Sequence, residues 1–207
     1  MAAKKVVMIG DSITDAHRLN DPEGIGEGYV RTLRDYYITD HPEAEVQFVN
    51  KGVSGDRITD LEERWDRDII KEKPDWVSIS IGINDVWRQL DHPGMEQVDP
   101  DQFSSIYRRL LERTVEETGS NLILMQPTII EEDLVSRGNQ MLTHYVKIVN
   151  QLAEKYQAIL VPAHEAFIEH LERNQQPSLT TDGVHMTSTG NMLMAKAWIQ
   201  AVRDTIV

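Results

Sequence analysis

A serine placed to act as a nucleophile follows the first apolar run of the chain. The run Val6–Ile9 leads into residues 10–14, Gly-Asp-Ser-Ile-Thr, where Gly10 is expected to let the chain turn sharply and expose Ser12. A serine hydroxyl attacks a carbonyl carbon only when a neighbouring base takes its proton. The same residues also suit a turn or a helix N-cap. The sequence contains no Gly-x-Ser-x-Gly elbow, so the α/β-hydrolase signature is absent.

A candidate base for this serine lies in residues 181–185, Thr-Asp-Gly-Val-His. Within such a turn, the Asp182 carboxylate can bond one ring nitrogen of His185 and stabilise the imidazolium, which leaves the other nitrogen for Ser12. The pair also suits a purely local capping interaction. We interpret the other histidines as surface or structural side chains; they are His17, His41, His92, His144, His164 and His170.

Two further segments offer donors for the oxyanion of an acyl-transfer reaction. The glycine block at 52–55 contains Gly55, whose bare N–H is well placed at the approach to a helix that begins near Ile58. The segment 82–85, Gly-Ile-Asn-Asp, offers the neutral amide of Asn84, and the Ser12 N–H would be a third donor. The same pattern also suits a purely structural role, in which Gly52 and Gly55 form a turn and residues 84 and 85 cap a helix.

Four more residues beside these segments are expected to support the site or bind substrate. Asp11 is expected to hydrogen-bond neighbouring loops, and Asp85 follows the candidate amide donor. Trp87 and Arg88 come next along the chain. The indole of Trp87 suits stacking on a sugar ring, and it equally suits packing beneath a loop.

The elements that must position these residues alternate between strands and helices. Five short runs rich in Val and Ile suit strands of a parallel sheet that is buried on both faces. They are Val6–Ile9, Val46–Val49, Trp76–Ile81, Leu122–Met125 and Ile159–Val161. Apolar residues at helical spacing fill segments between and after them; these segments are 58–69, 103–115, 141–156 and a last helix from about residue 188.

This alternation predicts an α/β fold with right-handed crossovers. Residues 99–102, Asp-Pro-Asp-Gln, read as an N-cap with proline at the first helical position, and Gly119 is expected to end that helix. The segments 24–28 and 91–97 are expected to be loops. In open parallel sheets the ligand lies beyond the carboxyl ends of the strands, where the candidate residues are found.

Composition excludes several classes of partner and chemistry. With 21 Lys and Arg against 34 Asp and Glu, the formal net charge of −13 argues against nucleic acid. There is no cysteine, and His164 and His170 lack the spacing of a zinc-binding helix, so we expect no metal and no cofactor. No apolar run suits a signal peptide or a membrane span, which predicts a cytoplasmic protein without a membrane partner. The length of 207 residues suits a single domain over 1–207.

Taken in order, four short motifs resemble those of the SGNH, or GDSL, hydrolase family. They are Gly-Asp-Ser at 10–12, the glycine block at 52–55, Gly-x-Asn-Asp at 82–85 and Asp-x-x-His at 182–185. Together they extend over nearly the whole chain. The resemblance implies a flavodoxin-like three-layer α/β/α sandwich with a parallel sheet of about five strands, in agreement with the strand pattern.

The resemblance also implies a role for each matching residue. Ser12 would be the nucleophile, His185 the base and Asp182 the carboxylate that orients the base. The Ser12 N–H, the Gly55 N–H and the Asn84 side chain would form the oxyanion hole. Two positions depart from the family pattern: Ile13 stands where Leu is common, and Met186 follows the histidine where Pro is common. Neither change removes a catalytic group.

A narrower likeness concerns the substrate. Residues 50–55, 64–65 and 73–89 are similar to the acetyl xylan esterase branch of the family, whose members remove acetyl groups from xylan or xylo-oligosaccharides. This likeness implies a small acetylated sugar as substrate and is compatible with a homo-oligomer. Arylesterase, thioesterase and lysophospholipase activities of the same family remain alternatives.

Two functions from other classes also remain open. A flavodoxin-like sheet can hold phosphate or flavin at the same edge, with the glycine block at 52–55 and a helix N-terminus, and that function needs no His185. A catalytically inactive relative could serve as an assembly or carbohydrate-binding module. Such a module has no need of the complete set Ser12, Asp182 and His185 that this sequence retains.

Overall fold

A sheet of five parallel strands runs through the centre of the computed structural model, which describes residues 3–173, 176–203 and 205–206. The strands are β1 (Lys4–Gly10), β2 (Val46–Gly52), β3 (Trp76–Ser80), β4 (Asn121–Met125) and β5 (Ile159–Val161). They lie in the order β2-β1-β3-β4-β5, which is the flavodoxin-like order. The predicted parallel, five-stranded α/β fold is thereby confirmed.

Helices cover both faces of this sheet and make the layers above and below it. They are α1 (Ser12–Asp15), α2 (Tyr29–Asp40), α3 (Ile58–Trp65), α4 (Ile83–Asp91), α5 (Pro100–Thr118), α6 (Arg137–Lys155), α7 (Ala163–Arg173) and α8 (Ser188–Val202). Helices α2, α7 and α8 pack together on one face, and α3, α4, α5 and α6 pack on the other. In the described part of the chain, no helix is both long and apolar enough to cross a membrane.

The ends of the predicted helices follow from local chemistry. The Asp99 side chain accepts a hydrogen bond from the Gln102 N–H at 2.8 Å, and Pro100 is the first residue of α5. Gly119 ends the helix with a φ of 69°, a conformation that costs glycine little. The segment 58–69, predicted to be one helix, consists of two parts: the α-helix α3 is followed directly by a π-helical turn at Asp66–Ile70.

The register of the sheet brings the candidate segments to one edge. Gly10 at the end of β1 is paired with Gly52 on one side and with Ser80 on the other. The chain therefore leaves three neighbouring strands at the same level. The serine loop, the glycine block and the segment 82–85 start side by side because their strands end together.

Two glycines at this edge are required by close packing. A Cβ on Gly10 would lie 2.3 Å from the Ser80 carbonyl oxygen, and a Cβ on Gly52 would lie 2.1 Å from the Asp15 backbone nitrogen. Gly10 is not among the glycines with positive φ, so the sharp turn expected from its freedom is not the reason for it. The absence of side chains lets α1 lie directly on the ends of β1 and β2.

We predict that two buried tyrosines on the ring of Phe103 differ in what their hydroxyls contribute to stability. The Tyr145 hydroxyl donates to the Val98 carbonyl at 2.6 Å and accepts from Gln89 at 2.9 Å. The Tyr107 hydroxyl has no hydrogen-bond partner among the described residues. Tyr145→Phe should lower the free energy of unfolding by about 1–2 kcal/mol, because the buried Val98 carbonyl then keeps only the 3.4 Å contact from Gln89, and Gln89 loses an acceptor.

Tyr107→Phe is the matched control and should leave the free energy of unfolding unchanged or higher. Urea unfolding followed by circular dichroism measures both variants. Equal losses in the two variants would show that the hydroxyl of Tyr145 contributes nothing specific.

Candidate active site

The segment that holds Ser12 is fixed by its own N-cap. Asp11 directly follows β1, and its side chain accepts a hydrogen bond from the Ile13 N–H at 3.0 Å. Ser12 is the first residue of α1, so its backbone N–H has no acceptor within the helix. The helix N-cap and the candidate nucleophile are therefore adjacent residues, Asp11 and Ser12, of the same short segment. Its geometry leaves both the hydroxyl and the N–H of Ser12 available for a ligand.

Three predicted groups meet at this edge of the sheet. Ser12 Oγ lies 2.9 Å from His185 Nε2, and His185 Nδ1 lies 2.7 Å from Asp182 Oδ2. A carboxylate only accepts hydrogen bonds, so Nδ1–H donates to Asp182 and Nε2 is left to accept from the Ser12 hydroxyl. This is the arrangement in which an imidazole can take the proton of a serine as the oxygen attacks a carbonyl carbon.

The turn that carries the base is held by its own backbone. Asp182 Oδ1 accepts hydrogen bonds from the N–H groups of Val184 and His185 at 3.0 and 2.8 Å. Gly183 has a φ of 92°, which a residue with a Cβ rarely adopts. The capping interaction and the triad interaction were set out above as alternatives, but the two oxygens of Asp182 make both.

These contacts also keep Asp182 ionised. Partial burial opposes the negative charge. That effect is outweighed by hydrogen bonds that the carboxylate accepts from the backbone N–H of His185, from the His185 ring and from the Val184 N–H. The pKa of the Asp182 carboxyl therefore lies below its usual range. A carboxylate that stays charged can stabilise the imidazolium formed when His185 takes a proton.

The predicted donors surround the same edge. Gly55 has a φ of 89° and open space where a Cβ would be. Asn84 is the second residue of α4 and only 2 % exposed. One N–H of its amide donates to the Asp56 carbonyl at 3.0 Å, and its oxygen accepts from Arg88 Nη2 at 3.5 Å. These two bonds orient the amide and leave its second N–H for a ligand.

An open cleft of about 570 Å³ lies in front of Ser12 and His185. Its lining comes from the α1 segment, the loop before α2, the glycine block, the turn of the base and the start of α8. Glu27 and Gly28 line it and belong to the expected loop 24–28. Asn191 of α8 is a lining residue that no motif indicated.

Trp87 and Arg88 lie behind the base. The Trp87 ring meets the His185 ring edge-on at 5.9 Å between centroids, and the Arg88 guanidinium lies 4.9 Å from the centre of the indole. Neither residue is among the described residues that line the cleft. In this structure the Trp87 ring packs against the imidazole, and a role in stacking on a sugar stays a prediction.

Two buried carboxyls stand directly behind the site. Burial raises the pKa of Asp11 to about 7 against the opposing effects of the Ile13 N–H and His185. Burial also raises the pKa of Asp85 to about 7, with a further contribution from the charge of Asp11. Asp85 Oδ1 accepts from the Ile58 N–H at 3.1 Å, and its Oδ2 has no partner in the described part of the chain. The described residues include no cluster of three or more side chains suited to a metal ion.

We predict that Asp85 makes folding stability fall as pH rises. Its pKa in the folded protein is raised above the ordinary carboxyl value of about 4, so the folded state holds this proton more tightly than the unfolded chain does. Stability is therefore lost as pH rises from about 4 through 7. Asp85→Asn keeps an oxygen for the Ile58 N–H and removes this dependence.

The variant should melt at a higher temperature than the wild type at pH 8, and the difference should shrink at pH 5. Thermal unfolding at both pH values measures this difference in melting temperature. Because the pKa of Asp11 is also raised, the variant keeps part of the pH dependence of stability that the wild type shows. Parallel curves for the two proteins would contradict the assignment.

Comparison with known proteins agrees with this geometry. Residues 8–193 match the GDSL-like lipase/acylhydrolase family. The chain is 37 % identical over 209 residues to an acetylxylan esterase from Geobacillus stearothermophilus, covering 97 % of this chain and 94 % of that protein.

Solved structures give the same result for the fold. Axe2, an acetylxylan esterase from Geobacillus stearothermophilus, superimposes with a TM-score of 0.91 at 36 % identity, covering 99 % of this chain and 96 % of the other. LAE5, an α/β hydrolase enzyme from the metagenome of Lake Arreo, gives a TM-score of 0.90 at 34 % identity, covering 97 % and 96 %. Catalytic mutants of Axe2 with an aspartate, a serine or a histidine changed to alanine are also similar in structure.

Proposed function

This chain belongs to the GDSL-like lipase/acylhydrolase family and is a carboxylic ester hydrolase, and we propose that Ser12, His185 and Asp182 form its catalytic triad. The observation that carries the proposal is the continuous chain of hydrogen bonds through these three side chains, 2.9 and 2.7 Å long. The same three residue types are replaced in the catalytic mutants of Axe2.

In the proposed reaction His185 accepts the Ser12 proton as the serine oxygen attacks the ester carbonyl. The negative oxygen of the tetrahedral intermediate accepts hydrogen bonds from the Ser12 N–H, the Gly55 N–H and the Asn84 amide. The C–O bond of the ester then breaks, and His185 gives its proton to the departing alcohol. Water, deprotonated by His185, then attacks the acyl carbon; the bond from that carbon to the Ser12 oxygen breaks, His185 returns the proton to this oxygen, and the acid leaves.

The substrate is proposed to be an acetylated xylo-oligosaccharide, in which the sugar is the alcohol part of the ester. The relative that is 37 % identical is an acetylxylan esterase, and Axe2 is described as an acetyl-xylooligosaccharide esterase. The open cleft is lined by polar side chains such as Ser54, Thr181 and Asn191, which can hydrogen-bond sugar hydroxyls. A homo-oligomer, a cytoplasmic location and a single domain over 1–207 stay predictions.

Replacing the nucleophile tests the mechanism directly. Ser12→Ala should lower kcat/KM by about three or more orders of magnitude, because it removes the hydroxyl that is bonded to His185 and attacks the carbonyl carbon. Ser105→Ala on α5 is a matched control and should keep wild-type turnover. A serine-reactive organophosphate should label the wild type and Ser105→Ala but not Ser12→Ala.

Near-normal esterase activity in Ser12→Ala, measured with p-nitrophenyl acetate, would refute the triad. Failure of the organophosphate to react with the wild type would favour the binding-protein alternative.

The acyl and alcohol specificities can be tested separately. Acetate release from acetylated xylo-oligosaccharides should exceed hydrolysis of p-nitrophenyl acetate in kcat/KM, because the polar lining of the cleft offers a sugar further hydrogen bonds that the nitrophenyl group cannot make. Within a series of p-nitrophenyl acetate, butyrate and octanoate, the acetate should react fastest. Highest activity with octanoate would contradict an acetylesterase, and Ser12→Ala controls for spontaneous hydrolysis.

A further inference from the structure

A buried arginine connects the segments that surround the candidate oxyanion hole. Arg64 lies in α3 and is only 7 % exposed. Its guanidinium donates to the Asp56 carboxylate at 2.6 Å and to the Asp68 carboxylate at 2.7 Å. It also donates to the Lys51 carbonyl at 2.8 Å and to the Gly10 carbonyl at 3.0 Å. No motif considered above assigns a role to this side chain.

The partners of Arg64 bracket the reacting groups. Gly10 lies two residues before Ser12, so one N–H of Arg64 holds the end of the nucleophile strand. Lys51 and Asp56 lie on either side of the glycine block at 52–55. The carbonyl of Asp56 in turn accepts the hydrogen bond from the Asn84 amide. The Arg64 side chain is thus bonded directly to the serine segment and to the glycine block. Through Asp56 it is also connected to Asn84.

We propose that Arg64 is a positioning residue that fixes the oxyanion-hole donors relative to Ser12; the inference rests on the function proposed above. The donors act only if they point to where negative charge develops, and misplacement by about 1 Å can cost roughly 10²-fold in rate. Arginine suits the task because its planar fork supplies five N–H groups in fixed directions.

Stability alone is a poor explanation for this residue. A buried ion pair gains little over well-packed apolar residues, because taking both charges out of water is costly. Two of the four bonds go to main-chain carbonyls on different segments, which ties loops together. Asp68 supplies a second carboxylate from the π-helical turn and holds the guanidinium from the other side.

The test compares Arg64→Lys and Arg64→Gln with a matched buried control. Lysine keeps the positive charge but cannot reach both carbonyls and both carboxylates. Trp65→Phe changes the next residue of α3, which is fully buried and donates to Thr114 on α5, away from the glycine block. We expect kcat of Arg64→Lys to fall about 10- to 100-fold with KM within about threefold. Arg64→Gln should lose at least as much, and Trp65→Phe should keep the wild-type kcat.

A transition-state readout separates positioning from loss of folded protein. Phenylboronic acid forms a tetrahedral, negatively charged adduct with a catalytic serine, so its affinity reports the donors of the hole. Its Ki should rise in Arg64→Lys by about the same factor as kcat/KM falls, after correction for the folded fraction measured by circular dichroism. A merely structural arginine would leave kcat and Ki of the folded fraction unchanged.

Each outcome decides the inference. A folded Arg64→Lys with the kcat and Ki of Trp65→Phe overturns it while leaving the triad intact, provided that Ser12→Ala is inactive. An active Ser12→Ala overturns the proposed function itself. If Arg64→Gln does not fold, Arg64→Lys decides. If neither folds, the same measurements on Asp56→Ala decide, because that change removes the acceptor of Arg64 Nε and keeps both the arginine and the main-chain carbonyl that accepts from Asn84.

Discussion

The hydrogen bond between Ser12 and His185 joins residues 173 positions apart, and much of the architecture serves to keep it at 2.9 Å. On the serine side, β1 is held between two neighbours and ends in an N-capped turn. On the imidazole side, a turn anchored to its own carboxylate presents the ring. The fold is what converts two distant short motifs into a pair that can exchange a proton.

The surroundings of that pair are more polar than the rest of the interior. Most of the core consists of aliphatic and aromatic side chains packed on the sheet, as burial free energy favours. Behind the serine, however, Asp11, Asp85, Asp56 and Arg64 are all buried. Such groups cost stability unless partnered, and folds tend to tolerate them where function needs fixed charges and dipoles. At this edge of the sheet, buried charged groups replace apolar packing, and their hydrogen bonds fix the orientation of the neighbouring segments.

Much of this could be predicted from the sequence, because the strands are short, apolar and β-branched, and because each motif carries local chemistry. The five strands and the meeting of Ser12, His185 and Asp182 at one edge of the sheet follow from such patterns. None of the patterns described above predicts α2, although Tyr29, Val30, Leu33 and Tyr37 have the helical spacing of a buried face. Arg64 belongs to the likeness described above, but its burial and its contacts carry no local signal, because a charged residue on a helix is expected to be solvent-exposed until the loops that cover it are known. The cleft is assembled from five separate segments, so Asn191 carries no local signal of its place there.

The order of the groups along the chain bears on how the protein is made. All five strands end by Val161, whereas His185 and the helix after it lie beyond them. During translation every strand is therefore synthesised before His185. The bond between Ser12 and His185 can form only after the whole sheet sequence has been made, so the proposed triad becomes complete late in synthesis.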